Sequence, residues 1–210
     1  MHGTEAFLKR RQLFIFDLDG TLAETSPVHA AAFAAVLEPR GVPVDYATVA
    51  GLATGDAVRR LLTRAGQQAD DATVAALVAA KRDAASAGLA AVREIAGAGA
   101  FVRYASSTHR LALCTSGARA TVERTLAVLG FAGCFDPIIT ADDVTRGKPA
   151  PDGFLAVLDR AGIAATDALV FEDSEAGLAA ARAAGLDAIR IGQGGVNWAD
   201  LHAVLARAAA

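Results

Sequence analysis

The sequence predicts an α/β protein, a Rossmann-like doubly wound parallel sheet with a small helical domain inserted after its first strand. Short apolar runs alternate with longer helical segments along most of the 210 residues, which is typical of a parallel sheet covered by helices on both faces. Several of these runs end in polar residues, as strands do at the ligand-binding edge of such a sheet. From about residue 26 to residue 96 no convincing strand is found, which predicts the insertion.

The predicted strands are apolar runs of two to four residues, short enough for the buried strands of a parallel sheet. In chain order they are Leu13–Phe16, 111–114, Ile138–Ile139, 168–171 and 188–189. Helices are predicted between them at 118–129, 151–161 and 176–184. A glycine follows each of these helices directly, which favours a helix stop; the three are Gly130, Gly162 and Gly185.

The insertion is predicted to consist of helices. Ser26 is expected to be the N-cap of the first one, with Pro27 at the first helical position. The predicted helical segments are 30–37, 58–65 and 73–87. We therefore expect a Rossmann-like core made of residues 1–24 and 98–210, and a helical domain made of residues 25–97.

Composition and charge narrow the class of protein. With 53% hydrophobic and 20% charged residues, the chain is typical of a globular protein. The net charge of -3 gives no indication of a nucleic-acid partner. Residues 1–11 lack the apolar segment of a secretory signal, no apolar run is long enough to cross a bilayer, and two cysteines do not make a disulfide framework. We therefore expect a cytoplasmic protein without a membrane partner, either a monomer or a weak homodimer.

Two acids, Asp17 and Asp19, follow the first predicted strand directly. Like charges this close are unfavourable unless a cation or a proton separates them, and carboxylate oxygens suit Mg²⁺. Gly20 and Thr21 then let the backbone turn sharply and offer N–H groups to an anion. The alternative is a solvated, aspartate-rich turn.

Polar residues follow the next strand as well. Thr115, Ser116 and Gly117 lie between a predicted strand and a predicted helix, where a hydroxyl and backbone N–H groups can cradle a phosphate. The alternative for this segment is an ordinary helix N-cap.

Three further charged residues are candidates. Lys148 precedes a proline-rich segment that stiffens the backbone, so its ammonium could neutralise a phosphoryl oxygen; the alternative is a surface lysine. Glu172 and Asp173 end another predicted strand and could complete a metal site. The alternative for these acids is helix capping by Asp173 or Ser174.

Together these segments resemble the four motifs of the haloacid dehalogenase superfamily. The matching segments are Asp17-Leu18-Asp19-Gly20-Thr21-Leu22, Thr115, Gly147-Lys148-Pro149-Ala150-Pro151-Asp152 and Glu172-Asp173-Ser174-Glu175-Ala176-Gly177. The insertion is similar to the helical cap of the subgroup that holds phosphoglycolate phosphatases, sugar-phosphate phosphatases and β-phosphoglucomutases. The resemblance covers nearly the whole chain, and it identifies the superfamily better than the substrate.

The resemblance implies a role for each motif residue. Asp17 would attack phosphorus and form an aspartyl-phosphate, while Asp19 would protonate the leaving oxygen and then deprotonate water. Thr115 and Lys148 would hold the phosphoryl group, together with Ser116 and Gly117. Mg²⁺ would be bound by Asp17, the backbone carbonyl of Asp19 and Asp173, with Glu172 close by. Dehalogenases usually lack the second acid of the first motif, so Asp19 favours phosphate chemistry.

The cap should contact the rest of the substrate. His29 has the spacing from Asp17 at which β-phosphoglucomutase-like proteins carry a histidine near the acid/base; the alternative is a half-exposed helix histidine. Thr54 and Gly55 lie in a segment, 51–56, that resembles a substrate loop in which relatives that bind a second phosphate often have arginine. Arg59, Arg60, Lys81 and Arg82 could supply that charge instead, and the alternative for the cap arginines is solvated surface. The leading hypothesis is a phosphatase acting on a small phosphorylated metabolite. A sugar phosphomutase is the second, and a non-catalytic phosphate-binding module the third.

Overall fold

The computed structural model describes residues 2–206 of the chain. Its five strands are β1 (Leu13–Phe16), β2 (Arg110–Cys114), β3 (Ile138–Ile139), β4 (Ala168–Glu172) and β5 (Asp187–Arg190). Within the described residues they form one sheet in the order β3-β2-β1-β4-β5, and every pairing is parallel. All five predicted strands are therefore present, with ends shifted by one residue or not at all.

The helices are α1 (His2–Lys9), α2 (Ser26–Leu37), α3 (Thr54–Arg64), α4 (Asp71–Gly88), α5 (Ala98–Ala105), α6 (Arg119–Val128), α7 (Asp152–Ala161), α8 (Glu175–Ala183) and α9 (Trp198–Ala206). Sequence patterns predicted six of them and missed α1, α5 and α9. The three predicted glycine stops adopt positive φ angles of 72°, 65° and 73°, as expected for residues that end helices in the left-handed region. None of the helices described is long and apolar enough to cross a membrane.

Helices cover both faces of the sheet, as the fold class requires. Side chains of β1 alternate between the faces: Phe14 and Phe16 pack in one apolar cluster with α5, α6 and α9, whereas Leu13 and Ile15 pack in another with α7 and α8. All four residues are fully buried. The predicted α/β architecture with a doubly wound parallel sheet is confirmed.

The buried residues of a third apolar cluster all lie between Phe33 and Leu77 in the sequence. Partly buried residues such as Val36 and Val78 pack against this cluster. It contains no residue of the sheet, and it joins α2, α3 and α4. The segment 26–96 forms helices and no strand. This separate core is what an inserted helical domain would need, and we use "cap" for residues 25–97 from here on.

Two connections join the cap to the sheet, and they run side by side. Ala23 pairs with Glu94 in a single antiparallel bridge. The N–H of Glu24 donates to the carbonyl of Arg93 at 2.8 Å, and the N–H of Ile95 donates to the carbonyl of Leu22 at 2.8 Å. The segment that leaves the core and the segment that returns to it are thus hydrogen-bonded to each other.

The predicted N-cap of α2 is wrong by one residue. Thr25 is the N-cap, and Ser26 and Pro27 are the first two residues of the helix. The Thr25 hydroxyl makes no capping bond to the helix, because it donates to Asp19 Oδ1 at 2.6 Å instead. The Thr25 side chain therefore contacts Asp19, and no side chain caps the start of α2.

Candidate active site

The predicted site residues meet at the carboxyl edge of the sheet. Asp17 follows β1, Thr115 follows β2, and Glu172 and Asp173 lie at the end of β4. Because β1 lies between β2 and β4, with Phe16 opposite both Leu113 and Phe171, the three strand ends are adjacent.

Lys148 lies inside this edge and not on the surface, so the alternative of a solvated lysine is wrong. Its residue is 5% exposed. The ammonium donates to Asp17 Oδ1 at 2.6 Å, to Glu172 Oε1 at 2.8 Å and to the carbonyl of Cys114 at 3.0 Å. Burial lowers the pKa of Lys148, but the two carboxylates outweigh it and hold the pKa well above its usual value.

Asp17, Glu172 and Asp173 form a cluster of acids around Lys148. One carboxylate oxygen from each lies within 4.8 Å of the other two. Burial, followed by the neighbouring acids, raises the pKa of Asp17 well above its usual value even though Lys148 opposes this. Burial and the charge of Glu172 raise the pKa of Asp173 to about 6. The three clustered acids carry more negative charge than the one ammonium of Lys148 can balance, so this all-oxygen donor set fits a divalent cation such as Mg²⁺.

The loop after β1 is shaped around Asp173. The hydroxyl of Thr21 donates to Asp173 Oδ1 at 3.0 Å. Gly20 has φ of 86°, and a Cβ built on it would overlap the Asp173 carboxylate. Only glycine allows both this backbone conformation and the close approach. Ser174 caps α8 by accepting the N–H of Gly177 at 3.0 Å, so the capping alternative holds for Ser174 and leaves Asp173 to the acid cluster.

Asp19 points away from that cluster and towards the cap. Its Oδ1 accepts from Thr25 at 2.6 Å and contacts His29 Nε2 at 3.2 Å; the hydroxyl of Thr115 lies 3.5 Å from Oδ2. Burial raises the pKa of Asp19, but His29, Thr25 and Lys81 together lower it to about 2. The two acids of the aspartate motif therefore have different surroundings, and a solvated turn is excluded for Asp17, which is 5% exposed.

His29 and Lys81 connect Asp19 to the cap. His29 is buried, so the half-exposed alternative is wrong, and its Nδ1 lies 2.9 Å from Lys81 Nζ. An ammonium can only donate, so Nδ1 accepts and the proton of a neutral ring lies on Nε2, facing Asp19. Lys81 comes from α4, and burial lowers its pKa to about 8. The sequence offered Lys81 only as one of four possible sources of positive charge in the cap, and the structure buries it beside His29.

The predicted phosphate cradle is close to Asp19. The Thr115 hydroxyl accepts the N–H of Gly117 at 3.1 Å, while Ser116 Oγ donates to the carbonyl of Gly51 in the cap at 2.9 Å. Ala118, not Thr115, is the N-cap of α6, so the ordinary N-cap alternative is wrong for Thr115. The role of the three residues in binding phosphate stays a prediction.

A cavity opens between the sheet edge and the cap. Its lining combines the motif acids with polar and apolar cap residues: Asp17, Asp19, His29, Phe33, Tyr46, Val49, Gly51, Leu52, Thr54, Lys81, Arg82, Ala85, Ser116, Gly117, Ala118 and Thr121. The predicted cap residues His29 and Thr54 are both present. Tyr46 and Phe33 were missed, because their sequence surroundings give no signal beyond that of a cap core.

The cap rests directly on the core around this cavity. A Cβ built on Gly51 would overlap Ser174 Oγ, and one built on Gly147 would lie 2.9 Å from the Cβ of Ala53. Arg124 Nη1 of the core donates to Ser86 Oγ of the cap at 2.9 Å. The structure therefore holds the cap closed over the acids.

Comparison with known proteins places these features in context. Residues 14–191 match the sequence model described as haloacid dehalogenase-like hydrolase. The chain is 34% identical to fructose-1-phosphate phosphatase YqaB of Escherichia coli over 84% of its length and 94% of that relative. It is also 34% identical to validoxylamine A 7'-phosphate phosphatase of Streptomyces hygroscopicus subsp. limoneus, over 82% and 81% of the two chains. The crystal structure of CbbY from Rhodobacter sphaeroides in complex with phosphate superposes with a TM-score of 0.76 at 27% identity, covering 86% and 85% of the two chains.

Proposed function

Since the chain belongs to the haloacid dehalogenase-like hydrolase family, we propose that it is a Mg²⁺-dependent phosphatase that releases phosphate from a small metabolite through an aspartyl-phosphate on Asp17. The substrate would be a sugar phosphate or a compound of the phosphoglycolate type. Hydrolysis of phosphate esters, the general activity, is supported by relatives that are phosphatases at 34% identity. The resemblance to the haloacid dehalogenase superfamily is confirmed by the family match over residues 14–191.

The contrast between Asp17 and Asp19 is the observation that carries this proposal. Asp17 shares the Lys148 ammonium with Glu172 and lies in one acid cluster with Glu172 and Asp173, as a nucleophile at a cation-binding edge would. Asp19 faces the cavity and the cap, where a leaving group would lie. Two acids with different roles need different surroundings, and this loop provides them.

The reaction would have two steps. In the first, a carboxylate oxygen of Asp17 forms a bond to phosphorus, the bond from phosphorus to the ester oxygen breaks, and Asp19 gives that oxygen a proton. In the second, water attacks phosphorus, Asp19 takes a proton from the water, and the bond to Asp17 breaks to release phosphate. Because Asp19 is ionised at neutral pH, the first step requires it to gain a proton when the anionic substrate binds, since a nearby negative charge raises the pKa of a carboxyl.

The other residues would position charge. Lys148, Thr115 and the N–H groups of Ser116 and Gly117 would hold the phosphoryl oxygens, which is the main requirement of phosphoryl transfer. Mg²⁺ would be held by Asp17, Asp173 and the backbone carbonyl of Asp19, with Glu172 nearby, and it would neutralise charge on the phosphoryl group. The cap would exclude water and contact the rest of the substrate through residues such as His29 and Thr54.

Phosphate release from p-nitrophenyl phosphate, with and without Mg²⁺, tests the chemistry. We expect activity that EDTA abolishes and added Mg²⁺ restores; full activity after thorough chelation would contradict the proposal. A panel containing fructose 1-phosphate, phosphoglycolate and β-glucose 1-phosphate then tests the substrate class. Conversion of β-glucose 1-phosphate to glucose 6-phosphate without phosphate release would identify a mutase instead.

A further inference from the structure

Trp198 links the last helix described to the loop that carries the catalytic acids. It is the first residue of α9 and is fully buried. Its ring lies 4.8 Å from that of Phe101 and 5.3 Å from that of Phe171, measured between centroids. Within this apolar cluster, its indole N–H donates a hydrogen bond to the backbone carbonyl of Thr21, with an Nε1 to oxygen distance of 2.8 Å.

Thr21 connects Trp198 to the acid cluster through a second hydrogen bond. Its residue is fully buried, and its hydroxyl donates to Asp173 Oδ1 at 3.0 Å. The indole N–H, the peptide of Thr21 and the carboxylate of Asp173 thus form a chain of hydrogen-bonded groups. A buried carbonyl without a donor is costly, so the loop has a strong preference for the position that Trp198 defines.

The same side chain borders the point where the chain returns from the cap. Gly97 has φ of 87°, and a Cβ built on it would lie 3.2 Å from the Cβ of Trp198. Gly97 is the N-cap of α5, two residues after Ile95 pairs with Leu22. Trp198 therefore lies behind both the catalytic loop and the base of the cap connections.

We propose that Trp198 is a positioning residue for phosphoryl transfer, which fixes the turn from Asp17 to Thr21 through its indole N–H and so orients Asp173 for the metal. This inference rests on the proposed function. Packing alone requires an aromatic ring at this place but no polar atom. A variant that keeps the ring but lacks the N–H therefore keeps the packing and loses only the hydrogen bond to Thr21.

The first test replaces Trp198 with Phe and measures metal affinity directly, by calorimetric titration with Mg²⁺ and by Mn²⁺ titration followed by electron paramagnetic resonance. Groups that hydrogen-bond metal ligands directly change metal affinity by about 10–100-fold; because Trp198 acts through Thr21, we expect the lower end, about a tenfold weaker affinity, with KM for p-nitrophenyl phosphate at saturating Mg²⁺ changed less than about threefold. Phe131→Leu is the matched control, because Phe131 is buried in the same apolar cluster. It should lose stability and keep its metal affinity.

A second variant covers the case in which Trp198→Phe folds poorly. Trp198 is the only tryptophan of the 210 residues, so growth on β-(3-benzothienyl)alanine replaces this side chain alone, with sulfur in place of the N–H and nearly the same shape. Weaker metal binding in this protein supports the inference, and wild-type binding overturns it. If the unmodified protein hydrolyses no ester in a Mg²⁺-dependent way, the proposed function fails, while the metal titrations still decide the role of Trp198.

Discussion

Replacing Lys81 with Met should remove a pH-dependent part of the stability of this protein. The Lys81 ammonium contacts His29 Nδ1 and lies 4.8 Å from the centroid of the Phe33 ring, in a residue that is 5% exposed. Burial lowers its pKa from the ordinary 10.5 to about 8, and the attraction of Asp19 opposes this only in part. The folded protein therefore holds the proton of Lys81 less tightly than the unfolded chain does.

The size and sign of the effect follow from proton linkage. Between pH 8 and pH 10.5 the unfolded chain binds more protons, so the free energy of unfolding rises with pH. Below pH 8 the full cost of burying the charge is present. At 1.36 kcal/mol per pKa unit the complete effect is about 3 kcal/mol, of which about 2 kcal/mol falls between pH 7.5 and pH 9.5.

Urea unfolding at pH 7.5, 8.5 and 9.5 measures this difference. From the lowest to the highest pH, the unmodified protein should gain about 2 kcal/mol relative to Lys81→Met. Other groups titrate in both proteins, so the difference between them isolates the contribution of Lys81 to the pH dependence. Lys9→Met, which removes an exposed lysine, is the control for the loss of an amine. An identical pH dependence in the unmodified and Lys81→Met proteins would mean that Lys81 is hydrated, and would refute a closed cap as the resting state.

Two further substitutions test the nucleophile and the cap. Asp17→Asn should reduce turnover at least about a thousandfold with an unchanged circular dichroism spectrum, and near-wild-type hydrolysis would exclude Asp17 as the nucleophile. Gly51→Ala adds a methyl group that overlaps Ser174 Oγ, so kcat/KM for a sugar phosphate should fall about tenfold, against less than about threefold for p-nitrophenyl phosphate. Gly41→Ala is its control, because Gly41 has a similar φ of 72° and an open surrounding; equal losses on both substrates in Gly51→Ala would contradict a specificity role for the cap contact.

Features encoded by neighbouring residues were predictable from the sequence. The run Leu13–Phe16 is apolar and ends in two acids, so strand, edge and candidate nucleophile are read from seven consecutive residues. Lys148 was recognised because prolines follow it. In each case a local signal defines the position, and the parallel sheet then brings the strand ends together.

Features that depend on packing between distant segments were not predictable. Lys81 reaches His29 only because α4 packs on α2, and its own sequence surroundings are those of a helix surface. Thr25, the N-cap of α2, makes no side-chain capping bond because its hydroxyl donates to Asp19, and no neighbouring residue indicates this contact. Trp198 follows a glycine-rich loop, and no periodic pattern indicates that α9 would cover the sheet.

The paired connections between Leu22 and Ile95 have a consequence for how this protein family can change. Residues 25–93 leave and re-enter the core at one place, where Ala23 pairs with Glu94. The inserted segment therefore resembles a long surface loop of the core. The entropic cost of closing such a loop during folding grows only with the logarithm of its length. Helical units of other sizes could therefore be inserted between the same two paired segments, so that a different cavity forms while the acid-bearing edge of the sheet stays as it is.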